Sequence, residues 1–117
     1  MDKFRRTELL YQLGTPGGFV IPQALFQTIL NIILFDMNIS QAIDAPKFDV
    51  DQANGLRLEK RIDKKTISQL SSKKYKLDIV GDFSWRMGNT QGVSHINNKI
   101  QIVGDRRRHS CSMGLKI

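Results

Sequence analysis

Cysteine is almost absent from these 117 residues: there is one, Cys111, beside two histidines, three prolines and one tryptophan. A lone cysteine cannot close a disulfide within the chain or build a cysteine-based metal site, and it leaves the redox compartment open. His95 and His109 are far apart and poorly accompanied, so no metal site is expected. Long hydrophobic runs are missing too. The longest, 24–34, is interrupted by Gln27 and Asn31 and falls short of the ~20 residues a bilayer span needs, so no membrane segment is expected. The first six residues, Met1-Asp2-Lys3-Phe4-Arg5-Arg6, are basic without the apolar stretch of a secretory signal, and no compartment follows from them.

Acidic residues are outnumbered, 11 against 18 basic, for a net charge of +7. Distribution decides what that means. The cations cluster at 60–76 and at Arg106 to Arg108, but aromatic residues do not interleave with them and no nucleic-acid-binding pattern appears. The basic residues read as a solvated face, and no specific nucleic-acid partner is expected. With 40% hydrophobic and 25% charged residues the composition is that of an ordinary globular chain, and the length fits one small domain, 1–117, with a single modest core.

What is present is organised around residues 9–35. Leu9 to Leu13 reads as a short buried strand, Gly14-Thr15-Pro16-Gly17-Gly18 as a tight turn, and 19–35 as an apolar helix with Pro22 at its first position. Pro16 biases Thr15 away from helical angles, so the strand must end there. Gly17 and Gly18 can take angles closed to other residues and let another group approach the main chain. A strand passing into a helix through such a turn aims unpaired N–H groups at one spot, which suits negative charge; a plain connecting turn has the same sequence. The helix is apolar on nearly every side, with Gln23, Gln27 and Asn31 as a polar stripe.

Further on, Ser40 reads as the N-cap of a short helix, Gln41 to Ala45, stopped by Pro46; Asp44 has no partner in a catalytic spacing and reads as a surface or capping residue. Lys47 to Val50 and Leu56 to Glu59 read as strands around the turn-forming Asn54-Gly55. A helix follows from its N-cap Asp63 to Lys73, then a strand from Tyr75 to Val80. Trp85 reads as a packing residue. Gln91 to Ile96 and Lys99 to Val103 read as a hairpin turned by Asn97-Asn98. The class is α+β, with a few mainly antiparallel strands and two to three helices.

Gly14-Thr15-Pro16-Gly17-Gly18, Thr28-Ile29-Leu30-Asn31 and Ala42-Ile43-Asp44-Ala45-Pro46-Lys47-Phe48 together resemble the C-terminal part of the small subunit of the γ-glutamyltransferase (glutathione hydrolase) family. Leu56-Arg57-Leu58-Glu59, Met87-Gly88-Asn89-Thr90-Gln91 and Gly104-Asp105 follow in that family's order. The resemblance implies part of an αββα N-terminal-nucleophile hydrolase sandwich. It implies an enzyme that transfers or hydrolyses γ-glutamyl groups, as in glutathione, with no cofactor. The nucleophilic threonine and the groups that hold the glutamyl amine and carboxylate are expected upstream, so this chain alone is expected to be inactive. Its expected partners are the rest of the precursor, meaning the large subunit and the start of the small one, and self-association is expected of the isolated chain. Gly17 and Gly18 carry over as oxyanion-hole N–H donors; no other substrate-binding residue is assigned. Two departures stand out: Phe19 replaces a small or basic residue, and no proline follows Asp105. A cephalosporin-acylase-like amidase and a non-catalytic basic binding module are the alternative readings.

Overall fold

A computed structural model describes residues 10–116. The order of elements is β1 (Tyr11–Gly14), α1 (Val20–Ile33), α2 (Ile39–Asp44), β2 (Phe48–Val50), β3 (Leu56–Glu59), α3 (Lys64–Ser72), β4 (Leu77–Val80), a 3-10 turn (Trp85–Met87), β5 (Gln91–Ile96) and β6 (Lys99–Gly104). The strands form two three-stranded sheets, β1-β5-β6 and β2-β3-β4. The first is antiparallel throughout; in the second β2 and β3 are antiparallel, while β3 and β4 run parallel because α3 carries the chain back between them. Helices α1 and α2 pack on each other, α1 also touches β1 and β2, and α2 lies against β5 and β6.

Several boundaries differ from the sequence reading for identifiable reasons. Within the described residues the first strand occupies Tyr11–Gly14, while Leu9 lies outside them. Pro22 is the third residue of α1 rather than the first; this costs no bond, since the N–H groups of the opening turn have no intrahelical partner anyway. Asn38, not Ser40, caps α2, because its side chain accepts from the Gln41 N–H while the Gln41 side chain accepts from the Asn38 N–H. Asp63 caps α3 as expected, accepting from the Thr66 N–H at 2.9 Å. Lys74 takes φ +64 after α3, which delays β4 to Leu77 and leaves Tyr75 exposed. The hairpin forms with Asn97 and Asn98 at φ +51 and +58, the left-handed pair such a turn requires.

Helix α1 is covered on one side only. Its buried residues are the small Val20, Ala24 and Thr28, four apart, while Phe26, Ile29 and Ile33 are exposed. The polar stripe turns inward. Gln27 donates to the Phe48 carbonyl at 2.7 Å and accepts from the Phe48 N–H at 3.0 Å. Gln23 makes the same pair with Val50, at 3.3 and 2.8 Å. Two side-chain amides thus take the place of a neighbouring strand along the edge of β2.

Among the described residues seven apolar and nine polar or charged side chains are buried, so the centre is as much ionic as hydrophobic. Gly92 explains how α2 reaches β5: a Cβ there would lie 2.7 Å from the Ile39 Cδ1 and 2.9 Å from the Ile43 Cδ1.

Candidate active site

The turn after β1 is held from behind. The Thr15 hydroxyl accepts from the Asn89 N–H at 2.8 Å and donates to the Pro16 carbonyl at 3.0 Å, tying the turn to the segment before β5. Gly88, at φ +88, lets the two segments meet; a Cβ there would lie 2.6 Å from the Thr15 Oγ1. Gly17 and Gly18 take φ +133 and +63, both in the region that favours glycine. Their carbonyls start α1, accepting from the N–H groups of Val20 and Ile21. Among the described residues neither glycine's own N–H meets an acceptor, and both residues are exposed. The predicted pair therefore sits together at the N-terminal end of α1 with both donors free, and a Cβ on Gly18 would meet nothing within 4 Å, so the space in front of it is open.

Behind this turn lies a buried ionic cluster. Arg107 donates to Glu59 through Nε at 2.7 Å and Nη2 at 2.8 Å, and to Asp105 through Nη1 at 3.1 Å. It also donates to the carbonyls of Ile43 and Ala45, at 2.8 Å each. Glu59 further accepts from the N–H groups of Lys47 and Ser84, both at 2.9 Å, and Asp105 from the Thr90 N–H at 3.1 Å. One cluster thus fixes the end of α2, strand β3, the 3-10 turn, the entry to β5 and the exit from β6.

Lys47 is wholly buried beside it and donates to the Ile43 carbonyl at 2.6 Å. Burial, reinforced by the Arg107 charge, lowers its pKa from the ordinary 10.5 to about 8; Asp105 and Glu59 oppose that shift. The Thr90 Oγ1 and the Asn89 Oδ1 are buried without a hydrogen-bond partner.

Two sequence expectations are corrected here. The run Arg106 to Arg108 is only in part a solvated face: Arg107 is buried, while Arg106 stays exposed and pairs with Asp44 at 2.8 Å, which also gives Asp44 its surface role. Trp85 is not a packing residue but is 63% exposed, with Arg86 and Arg108 each 5.8 Å from its ring centre. Phe83 packs instead, under Arg61 at 3.7 Å and Arg106 at 4.4 Å. His95 and His109 are exposed, and no group of three His, Cys, Asp or Glu side chains able to hold a metal occurs among the described residues. The cluster of Glu59, Asp105, Arg107 and Lys47 escaped the sequence reading because its members are spread over 60 residues of chain, and the one available signal was that Glu59 ends a strand at a position bordering apolar residues.

The Gamma-glutamyltranspeptidase family model matches residues 4–115. The chain belongs to that family. Glutathione hydrolase proenzyme of Bacillus subtilis is 27% identical over 116 residues, which are 97% of this chain and 19% of that protein. This γ-glutamyltranspeptidase-family chain therefore spans about a fifth of the length of such a relative. Its fold is that of γ-glutamyltranspeptidase from Pseudomonas nitroreducens, solved with L-DON, at a TM-score of 0.81 and 23% identity over 97% of this chain and 59% of that one. Cephalosporin acylase from Bacillus halodurans shares the fold at a TM-score of 0.72 and 24% identity, over 81% of this chain and 18% of that one. The expected α+β class and N-terminal-nucleophile hydrolase fold are thus met, with six strands and three α-helices among the described residues.

Proposed function

We propose that this chain is the C-terminal portion of an enzyme that transfers or hydrolyses γ-glutamyl groups, completed by an upstream portion carrying an N-terminal threonine nucleophile. Its own contribution to the reaction is the Gly17–Gly18 turn. When the nucleophile attacks the γ-glutamyl carbonyl, the oxygen gains negative charge, and the two free N–H groups stabilise it as hydrogen-bond donors already in position. The threonine's own amine takes the proton from the hydroxyl and returns it to the leaving amine, the usual division of labour when a nucleophile is the first residue of its chain.

The observation that carries the reading is the pair of positive-φ glycines whose N–H groups are free while their carbonyls are committed to α1. Rigidity behind the turn, from the Thr15–Asn89 bond and the ionic cluster, supports it, since preorganised donors need no rearrangement as charge develops. The basic-module alternative loses the support of Arg107, which is spent on a buried ion pair with Glu59, and Arg106 is partly neutralised by Asp44 at the surface.

The test uses a γ-glutamyl anilide. This chain alone is expected to release no nitroaniline above a blank, and the same chain joined to its upstream portion is expected to release it. Release by the chain alone would overturn the division proposed. A completed protein that ignores the anilide but cleaves a cephalosporin side-chain amide would transfer the reading to the acylase alternative.

A further inference from the structure

Arg108 differs from the arginines beside it. Arg106 pairs with Asp44, and Arg107 with Glu59 and Asp105, whereas among the described residues Arg108 has no carboxylate partner. It is nevertheless fixed. Its Nε donates to the Trp85 carbonyl at 3.0 Å, which anchors the guanidinium and leaves the Nη groups unbonded among the described residues. Nη2 lies 3.5 Å from the point a Cβ on Gly17 would occupy, so the charge rests on the glycine turn rather than in open solvent. The side chain is half-buried, and it lines a cavity with Trp85, Arg106, Arg107 and His109. An anchored guanidinium with its outer N–H groups free and an aromatic wall beside it matches the planar two-oxygen geometry of a carboxylate.

We propose that Arg108 is a specificity-determining residue that binds a carboxylate on the leaving-group or acceptor side of the substrate. The side assigned rests on the oxyanion reading of Gly17 and Gly18: the reacting carbonyl then lies at the turn. On the same reading the glutamyl amine and carboxylate are held by upstream residues, which leaves the cation at the turn facing the other half of the amide. The substrates favoured are amino acids and peptides with a free carboxylate near the γ-glutamyl bond, over neutral amines.

Trp85 is the chain's one tryptophan, so its fluorescence reports on this cavity alone. Titration of this chain with N-acetylglycine is expected to change the emission saturably, and N-acetylglycinamide, equal in shape but neutral, is not. In Arg108→Gln the carboxylate response weakens about 10-fold or more, and in Arg108→Lys, which keeps the charge but loses the fork, it weakens less. An equal response to both probes, no response to the carboxylate, or an unchanged response in Arg108→Gln overturns the proposal. The completed enzyme tests the side assigned. The kcat/KM of γ-glutamyl-3-carboxy-4-nitroanilide relative to γ-glutamyl-4-nitroanilide should fall about 10-fold in Arg108→Gln, and an equal loss on both donors overturns that assignment. Failure of the unmutated enzyme on both donors counts against the γ-glutamyl reading itself, while a carboxylate-selective Trp85 response would still assign the binding site.

Discussion

Glu59 accepts five hydrogen bonds on its two carboxylate oxygens, from the N–H groups of Lys47 and Ser84, twice from Arg107 and once from Arg61. Around it the cations Arg107, Arg61 and Lys47 outnumber the carboxylates Glu59 and Asp105, so the two kinds of charge do not contribute alike. Glu59→Gln leaves Arg107 buried and half-paired and is expected to cost about 3–5 kcal/mol of stability by denaturant unfolding. Lys47→Met should cost little or stabilise, because the Ile43 carbonyl keeps its bond from Arg107. The proton linkage of Lys47 gives a separate check. Its folded pKa, about 8, lies below the ordinary 10.5, so between these values the unfolded chain holds a proton that the folded chain has released, and stability rises with pH. Below pH 8 the buried cation is a burden of about 3 kcal/mol. Relative to Lys47→Met, the native sequence is expected to gain stability from pH 8 to 10.5; a flat difference would mean that Lys47 titrates normally. Gly18 is a different case, since its importance lies in the reaction. In the completed enzyme Gly18→Val forces a β-branched residue to φ +63 and displaces an N–H donor, with an expected loss of about 100- to 1,000-fold in kcat. Normal turnover in a protein that folds and matures would remove the glycines from the mechanism.

At the scale of elements, the readable parts of the sequence were those whose signal is local. Asn97-Asn98, Asp63 before α3 and Asn54-Gly55 between β2 and β3 each carry their backbone preference with them, and each lies where expected. The glycine turn was legible for the same reason. In helix α1 the polar stripe was legible but its partner was not, because what a helix face meets is set by what lies against it, and nothing local announces that Gln23 and Gln27 meet the edge of β2. The cap of α2 failed more narrowly: Ser40 and Asn38 are both good capping residues, and the reciprocal bond to Gln41 selects Asn38. Gln27→Leu tests the strand-like role of the stripe. It keeps helix propensity but strands the N–H and carbonyl of Phe48, with an expected loss of about 1–2 kcal/mol. A matched Met37→Leu change, away from the β2 edge, should be near neutral, and equal effects from the two would deny the glutamines a special role.

For the molecule as a whole, the described surfaces are more than the chain can cover by itself. Its radius of gyration is 16.6 Å, where a self-contained domain of this length has about 13 Å. The outer side of α1 leaves Phe26 61% and Ile33 70% exposed, and continues through Ile29, Leu34 and Phe35. Tyr11 and Leu13 of β1 join Leu25, Ile29, Ile32 and Ile33 around an apolar cleft on that side. β1 pairs with β5 along one edge and with no strand among the described residues along the other. A contiguous apolar surface beyond a few hundred Å² is rare in monomers, and a free strand edge offers unpaired N–H and carbonyl groups to a second copy. In the completed enzyme the upstream portion would occupy these surfaces; without it, the same surfaces are expected to bring copies of this chain together. Sedimentation should show a dimer or larger species that grows with concentration. Phe26→Glu with Ile33→Glu places charge in the middle of the apolar face, without touching the inward-facing Val20, Ala24 and Thr28, and should return the chain to monomer while the fold persists by circular dichroism. If the double variant still associates, pairing at the edge of β1 is the cause. If the unmodified chain sediments as a monomer at high concentration, α1 must find cover within its own chain, and the exposed face described here does not persist in solution.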